Sequence, residues 1–137
     1  MEKERYPNTI GKGTRQFITG IEHLESLLGD PFEDNYNLHD AEITWFHYDS
    51  QNCKLEMDIC THGGQCDCPE DKDVYIHFSF EGIVGVETHI ECQCFINDMQ
   101  LSVENNFLLC CFGGVDMEVW AKRLIISPIE LRPSVIN

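Results

Sequence analysis

Between Gln16 and Ala121 the chain has almost no positive charge: Lys54 and Lys72 are the only basic residues there, against 21 aspartates and glutamates. With a formal net charge of −15, this shortage argues against a protein that grips a nucleic-acid phosphate backbone or an anionic membrane surface. No apolar run approaches the roughly 18 residues that a membrane-spanning helix needs. The N-terminal stretch MEKERYPNTIGKGTRQF is charged but has no apolar leader core. The reading is therefore a cytoplasmic protein whose eight cysteines stay as thiols. Internal repeats and low-complexity segments are absent. So is a phosphate-cradling glycine loop, since Gly11-Lys12-Gly13 stands alone.

What is present fits one domain, residues 1–137. A chain of this length can bury roughly two-thirds of its unfolded surface, so it needs no metal or disulfide to hold a core. Four of the nine basic residues, Lys3, Arg5, Lys12 and Arg15, lie in the first fifteen positions. These positions read as a flexible basic arm on an anionic body that spans 16–137. That charge either keeps the body dispersed in solution or recruits a cationic partner.

The body opens with a short helix predicted over about 20–28. Thr19-Gly20-Ile21-Glu22 fits a capping box, and Ile21, Leu24, Leu27 and Leu28 form one apolar stripe. Gly29 can close the helix and Pro31 forbids its continuation. After His39 the pattern changes to period two. Ala41, Ile43 and Trp45 alternate with Glu42, Thr44 and Phe46. Cys53, Leu55, Met57 and Ile59 alternate with Lys54, Glu56, Asp58 and Cys60. Val74 to Phe80 and Val84 to Ile96 continue in the same way.

Loop lengths then suggest registers. Tyr48 to Asn52 sets Trp45 against Leu55 and Ile43 against Met57. Glu81-Gly82-Ile83 sets Phe80 against Val84. Asn97-Asp98 sets Ile96 against Met99. Glu104-Asn105-Asn106 sets Val103 against Phe107, and the FGGVD link sets Cys111 against Met117. The predicted fold is α+β: an antiparallel β-meander of about seven strands with one N-terminal helix packed on the sheet. The spacing leaves open whether the strands form one curved sheet or two packed sheets.

Several groups are candidates for chemistry. His39-Asp40 is similar to the dyad of the helical HD phosphohydrolases, but here it opens a strand and has no second His-Asp element. It reads better as structural, with Asp40 accepting from nearby backbone donors. Cys60, His62, Cys66 and Cys68 could close on zinc, although the spacing lacks paired C-x2-C turns. A metal- or thiol-dependent enzyme using loop 60–68 is thus one alternative, and a small-ligand module with a cavity between sheet and helix is another. Cys53, Cys92, Cys94 and Cys111 fall on apolar faces and read as core. His77 and His89 fall on outward faces, so no Cys-His nucleophile is apparent.

The polar faces carry the preferred reading, a non-catalytic binding protein without a cofactor. The expected registers put Glu42 opposite Asp58, Thr44 opposite Glu56 and His77 opposite Glu87. Directly opposed like charges destabilise a sheet, and such conflicts collect at functional surfaces. Glu42, Glu56 and Asp58, with Glu87 and Glu91, could form an anionic platform for a basic protein, or a solvated face whose charges bend away from one another.

The segment LHDAEI, residues 38–43, with the alternating strands after it and the late segment MEVWAKRLII, residues 117–126, resembles small bacterial immunity proteins of polymorphic toxin systems. Among these it resembles immunity protein family fifty. The resemblance implies stoichiometric inhibition: an acidic face of Glu42, Glu56, Asp58, Glu87 and Glu91, with Phe46 and Tyr75 as aromatic anchors, docks on a basic protein partner such as a nuclease toxin. Neither a nucleic acid nor a membrane is then a partner, and His39 and Asp40 are structural.

Overall fold

The computed structural model describes residues 9–10, 13–28, 41–62, 71–88, 95–96 and 98–134. His39, Asp40, Cys66, Cys68, His89, Glu91, Cys92 and Cys94 lie outside them, as do the Gly29 and Pro31 stop signals. Among the described residues twelve strands and one α-helix follow in order. They are β1 (Thr9–Ile10), β2 (Ile18–Thr19), α1 (Ile21–Leu28), β3 (Ala41–Asp49), β4 (Lys54–His62), β5 (Lys72–Glu81) and β6 (Gly85–Glu87). Then come β7 (Phe95–Ile96), β8 (Asp98–Glu104), β9 (Phe107–Gly113), β10 (Met117–Ala121), β11 (Arg123–Ile126) and β12 (Glu130–Pro133). The α+β class and the dominance of antiparallel pairing hold.

A single meander does not form. The strands divide into a five-stranded sheet, ordered β1-β8-β9-β10-β6, and a seven-stranded sheet, ordered β2-β11-β5-β4-β3-β7 with β12 also on β5. Two links expected to be hairpins instead carry the chain from one sheet to the other. After β5, buried Ile83 donates its N–H to the Cys53 carbonyl and Val84 donates to the Trp120 carbonyl. Val86 therefore pairs with Val119 in the five-stranded sheet and not with Phe78. Likewise β7 pairs with the start of β3, whereas β8 pairs with β9, so Ile96 and Met99 belong to different sheets. Both expected hairpins kept apolar residues together, but burial can be satisfied as well by crossing the core as by turning back.

The sheets face each other across one apolar core that draws on both. Phe78 of β5 meets Phe112 of β9 at a centroid distance of 6.1 Å, and Phe80 lies edge-on to Phe78. All three rings are essentially fully buried, each stabilising the fold by about 1.5–3 kcal/mol. The helix begins one residue inside the expected span. It packs against β11 with Ile21 and Leu24 in the core. Gly20 precedes it at φ +88°, and a side chain there would collide with the Ile126 carbonyl.

Three registers differ from those expected, each for a local reason. Between Ile43 and Trp45 the β3–β4 pairing shifts through an irregularity. One extra residue reverses the faces beyond it. Phe46 thus turns inward opposite Met57, and Tyr48, not Trp45, stands opposite Leu55. The β8–β9 turn is Asn105-Asn106, with both residues at positive φ (52° and 69°), the geometry of a two-residue type I′ turn. Val103 consequently faces Leu108, not Phe107. The next link places Met117 opposite Phe112, not Cys111, and Val119 opposite Cys110.

The cysteines follow from these shifts. Among the described cysteines Cys110 is buried, Cys111 is turned to the opposite, outer face of its strand, and Cys53 is exposed at φ 51°. Burial pushes the Cys110 thiol well above its ordinary pKa.

Candidate binding faces

The outer face of the seven-stranded sheet carries most of the residues expected to form a site. It does not bring their charges into conflict. Glu42 faces Cys60 and Phe95, not Asp58. Glu56 faces His47 on one side and Ser79 on the other, and Asp58 faces Trp45 and His77. His77 Nδ1 lies 2.7 Å from Asp58 Oδ1, and its Nε2 lies 3.6 Å from Glu56 Oε1. Lys54 reaches the other Glu56 oxygen at 3.0 Å. Glu56 and Asp58 are thus answered by Lys54 on their own strand and by the His77 ring on β5.

At the far end, Arg132 donates through two nitrogens to the Glu130 carboxylate, at 3.1 and 3.0 Å. Its guanidinium sits 4.0 Å over the Tyr75 ring. The Tyr75 hydroxyl bonds the Cys60 thiol, which raises the tyrosine pKa, while partial burial raises that of Cys60. Tyr75 is half-buried beneath Arg132 and so differs from a free aromatic anchor. Phe46, the other expected anchor, packs against the core. Trp45 takes its place outside: it is 44 % exposed, with its ring stacked on His47 and His77 at about 6 Å. A period-two reading could not have found it, because the bulge interrupts the period.

His77 is held by Asp58 at Nδ1, with Glu56 near its Nε2. A thiol with a raised pKa is a poor nucleophile at neutral pH. Cys60 and His62 share a strand face, and His62 Nδ1 lies 3.4 Å from Asp73. Among the described residues no group of three or more His, Cys, Asp or Glu side chains is placed to hold a metal ion. No helix among the described residues is long and apolar enough to cross a membrane.

The five-stranded sheet is different. Its strands contain no lysine or arginine, while they contain Glu87, Asp98, Glu104 and Glu118, with Asp116 in the adjoining turn. Lys54, Lys72, Arg123 and Arg132 all sit on strands of the other sheet. Glu118 stands directly opposite Glu87, so the like-charge pair that the sequence placed at Glu42 and Asp58 occurs here. Glu87, Asp116 and Glu118 have no ion-pair partner among the described residues.

Beside these acids the central strand β9 turns Phe107, Leu109 and Cys111 outward, all half-buried. Trp120 of β10 lies opposite Leu109 and over Gly85, its indole N–H donating to Glu104 at 3.3 Å. A concavity of about 510 Å³ opens at the acidic end, between Glu87, Gln100, Cys111 and Glu118. Of the expected site residues among those described, only Glu87 lies here. Apolar residues on both faces of β9 blurred the alternation that would have marked the others.

No family model matches the chain, and neither the curated proteins nor the solved structures include a match to it.

Proposed function

We propose that this is a non-catalytic binding protein that neutralises a basic protein partner by stoichiometric docking, in the manner of a cytoplasmic immunity protein acting on a nuclease toxin. The observation that carries the proposal is the separation of charge by sheet. On one outer face most of the acids are paired with lysine, arginine or histidine. The other has acids with no lysine or arginine on its strands, two of them directly opposed. Opposed carboxylates cost stability in the free protein, and a cation supplied by a partner would remove that cost. A nuclease cleft built for phosphate has the complementary charge, and such pairing speeds association in a salt-dependent way.

The test is co-expression with the product of the directly upstream open reading frame. The expected result is a growth-inhibiting basic protein whose toxicity this chain relieves and with which it co-elutes at equal stoichiometry. Relief should be lost in the E87K/E118K double variant. If the upstream product is neither toxic nor bound at low salt, the proposal is overturned.

A second docking face is favoured by Trp45, whose exposed, stacked ring beside Asp58 has the character of an interface anchor. Loss of relief in W45A and D58K, with E87K/E118K unaffected, would move the interface to the seven-stranded sheet.

A further inference from the structure

The solvent face of an antiparallel sheet is ordinarily polar. On the five-stranded sheet the outer face of the central strand is Phe107, Leu109 and Cys111, and Trp120 widens this row on the next strand. Acids border it: Glu104 beside Phe107, Glu118 beside Cys111, and Glu87 beyond Glu118. An apolar centre within a charged rim is the anatomy of a docking surface.

We propose that this face receives an amphipathic basic helix of the partner, its apolar stripe seated along Phe107, Leu109 and Trp120 and its lysines or arginines reaching Glu87, Glu104 and Glu118. The proposal rests on the binding function given above and names what the partner must present.

Length and charge both support this occupant. From Phe107 to Cys111 the row runs about 13 Å at the rise of a strand. That matches roughly two and a half helical turns, the span of an i, i+4, i+8 stripe. The concavity of about 510 Å³ lies at the acidic end of the row, where a long basic side chain can enter. A second copy of this chain is a poor occupant, because it would bring two uncompensated anionic faces together. An added strand is also disfavoured, since it would seek an edge, and the edge strand beside these acids, β6, is only three residues long.

The experiment uses the full chain and two synthetic peptides of identical composition. One has leucines at i, i+4 and i+8 among lysines, and the other has the same residues scrambled so that no apolar stripe forms. Titration calorimetry at low salt should show the ordered peptide binding at least tenfold more tightly than the scrambled one. The variants F107Q and L109Q should reduce that ratio toward one. In a W45F background, where Trp120 is the remaining tryptophan, the ordered peptide should shift the Trp120 emission to shorter wavelength. This readout needs no substitution in the docking row.

Equal binding of both peptides, weakened equally by E118K, would overturn the helix-docking inference and leave the acidic binding function standing. Tight binding of the ordered peptide with Trp120 emission unmoved would overturn the assignment to this face. Binding of neither peptide at low salt would count against both.

Discussion

Replacing Glu118 with glutamine should make the free protein more stable. Glu118 on β10 is paired directly with Glu87 on β6, and neither has an ion-pair partner among the described residues. Two unit charges about 6 Å apart repel by about 0.7 kcal/mol at the dielectric of water and about 3 kcal/mol at an effective value near 20. A Debye length of about 8 Å at physiological salt roughly halves either figure. Side-chain freedom lowers it further, toward the few tenths to about 1 kcal/mol measured for opposed like charges in sheets. The expected gain for E118Q is therefore about 0.3–1 kcal/mol, a rise of about 1–4 °C in Tm for a domain of this size.

The assay is thermal unfolding by circular dichroism at low and at high sodium chloride. The gain should be present at low salt and largely absent at high salt. E56Q is the contrasting variant, because Glu56 is held by Lys54 at 3.0 Å. It should show no gain at low salt and a small loss. An E118Q gain that is equal at both salt concentrations would show that the effect is not electrostatic. No gain at low salt would mean the opposed carboxylates do not repel, and the case for a face awaiting a cation would fall with it.

The β3 irregularity predicts that F46A costs about 1.5–3 kcal/mol in urea unfolding while W45A costs under about 1 kcal/mol, since only Phe46 packs on the core. The reverse order would refute the shifted register. N106G should stabilise the protein by about 0.5 kcal/mol, because Asn106 sits at φ 69° in the β8–β9 turn, a conformation glycine adopts without strain; a lower urea midpoint would contradict the turn geometry. In the folded protein a thiol reagent should modify exposed Cys53 quickly and leave Cys110 untouched, its burial having raised its pKa. Peptide mapping that found Cys110 labelled at the rate of Cys53 would place it outside the core.

The sequence alone determined the strand character of the body, the short helix ending in the Leu27-Leu28 pair, the inward sets of β4 and β5, and the anionic total. These are local properties. Period two follows from the pleat of a single strand, and composition is a sum over residues, so neither depends on which strand lies alongside.

Partnership and register are different. The links at Glu81–Ile83 and at Asn97 each left apolar residues facing apolar residues whether the chain turned back or crossed the core, and only the closed double-sheet core decided for crossing. One bulge exchanged Phe46 for Trp45, and one positive-φ turn moved every β8–β9 pair by a residue, because a single-residue slip reverses a strand's faces. The separation of charge between the sheets followed from the same choice. The acids of β6, β8 and β10 are unremarkable along the chain, and become an uncompensated face only once their strands are gathered into a sheet that contains no lysine or arginine.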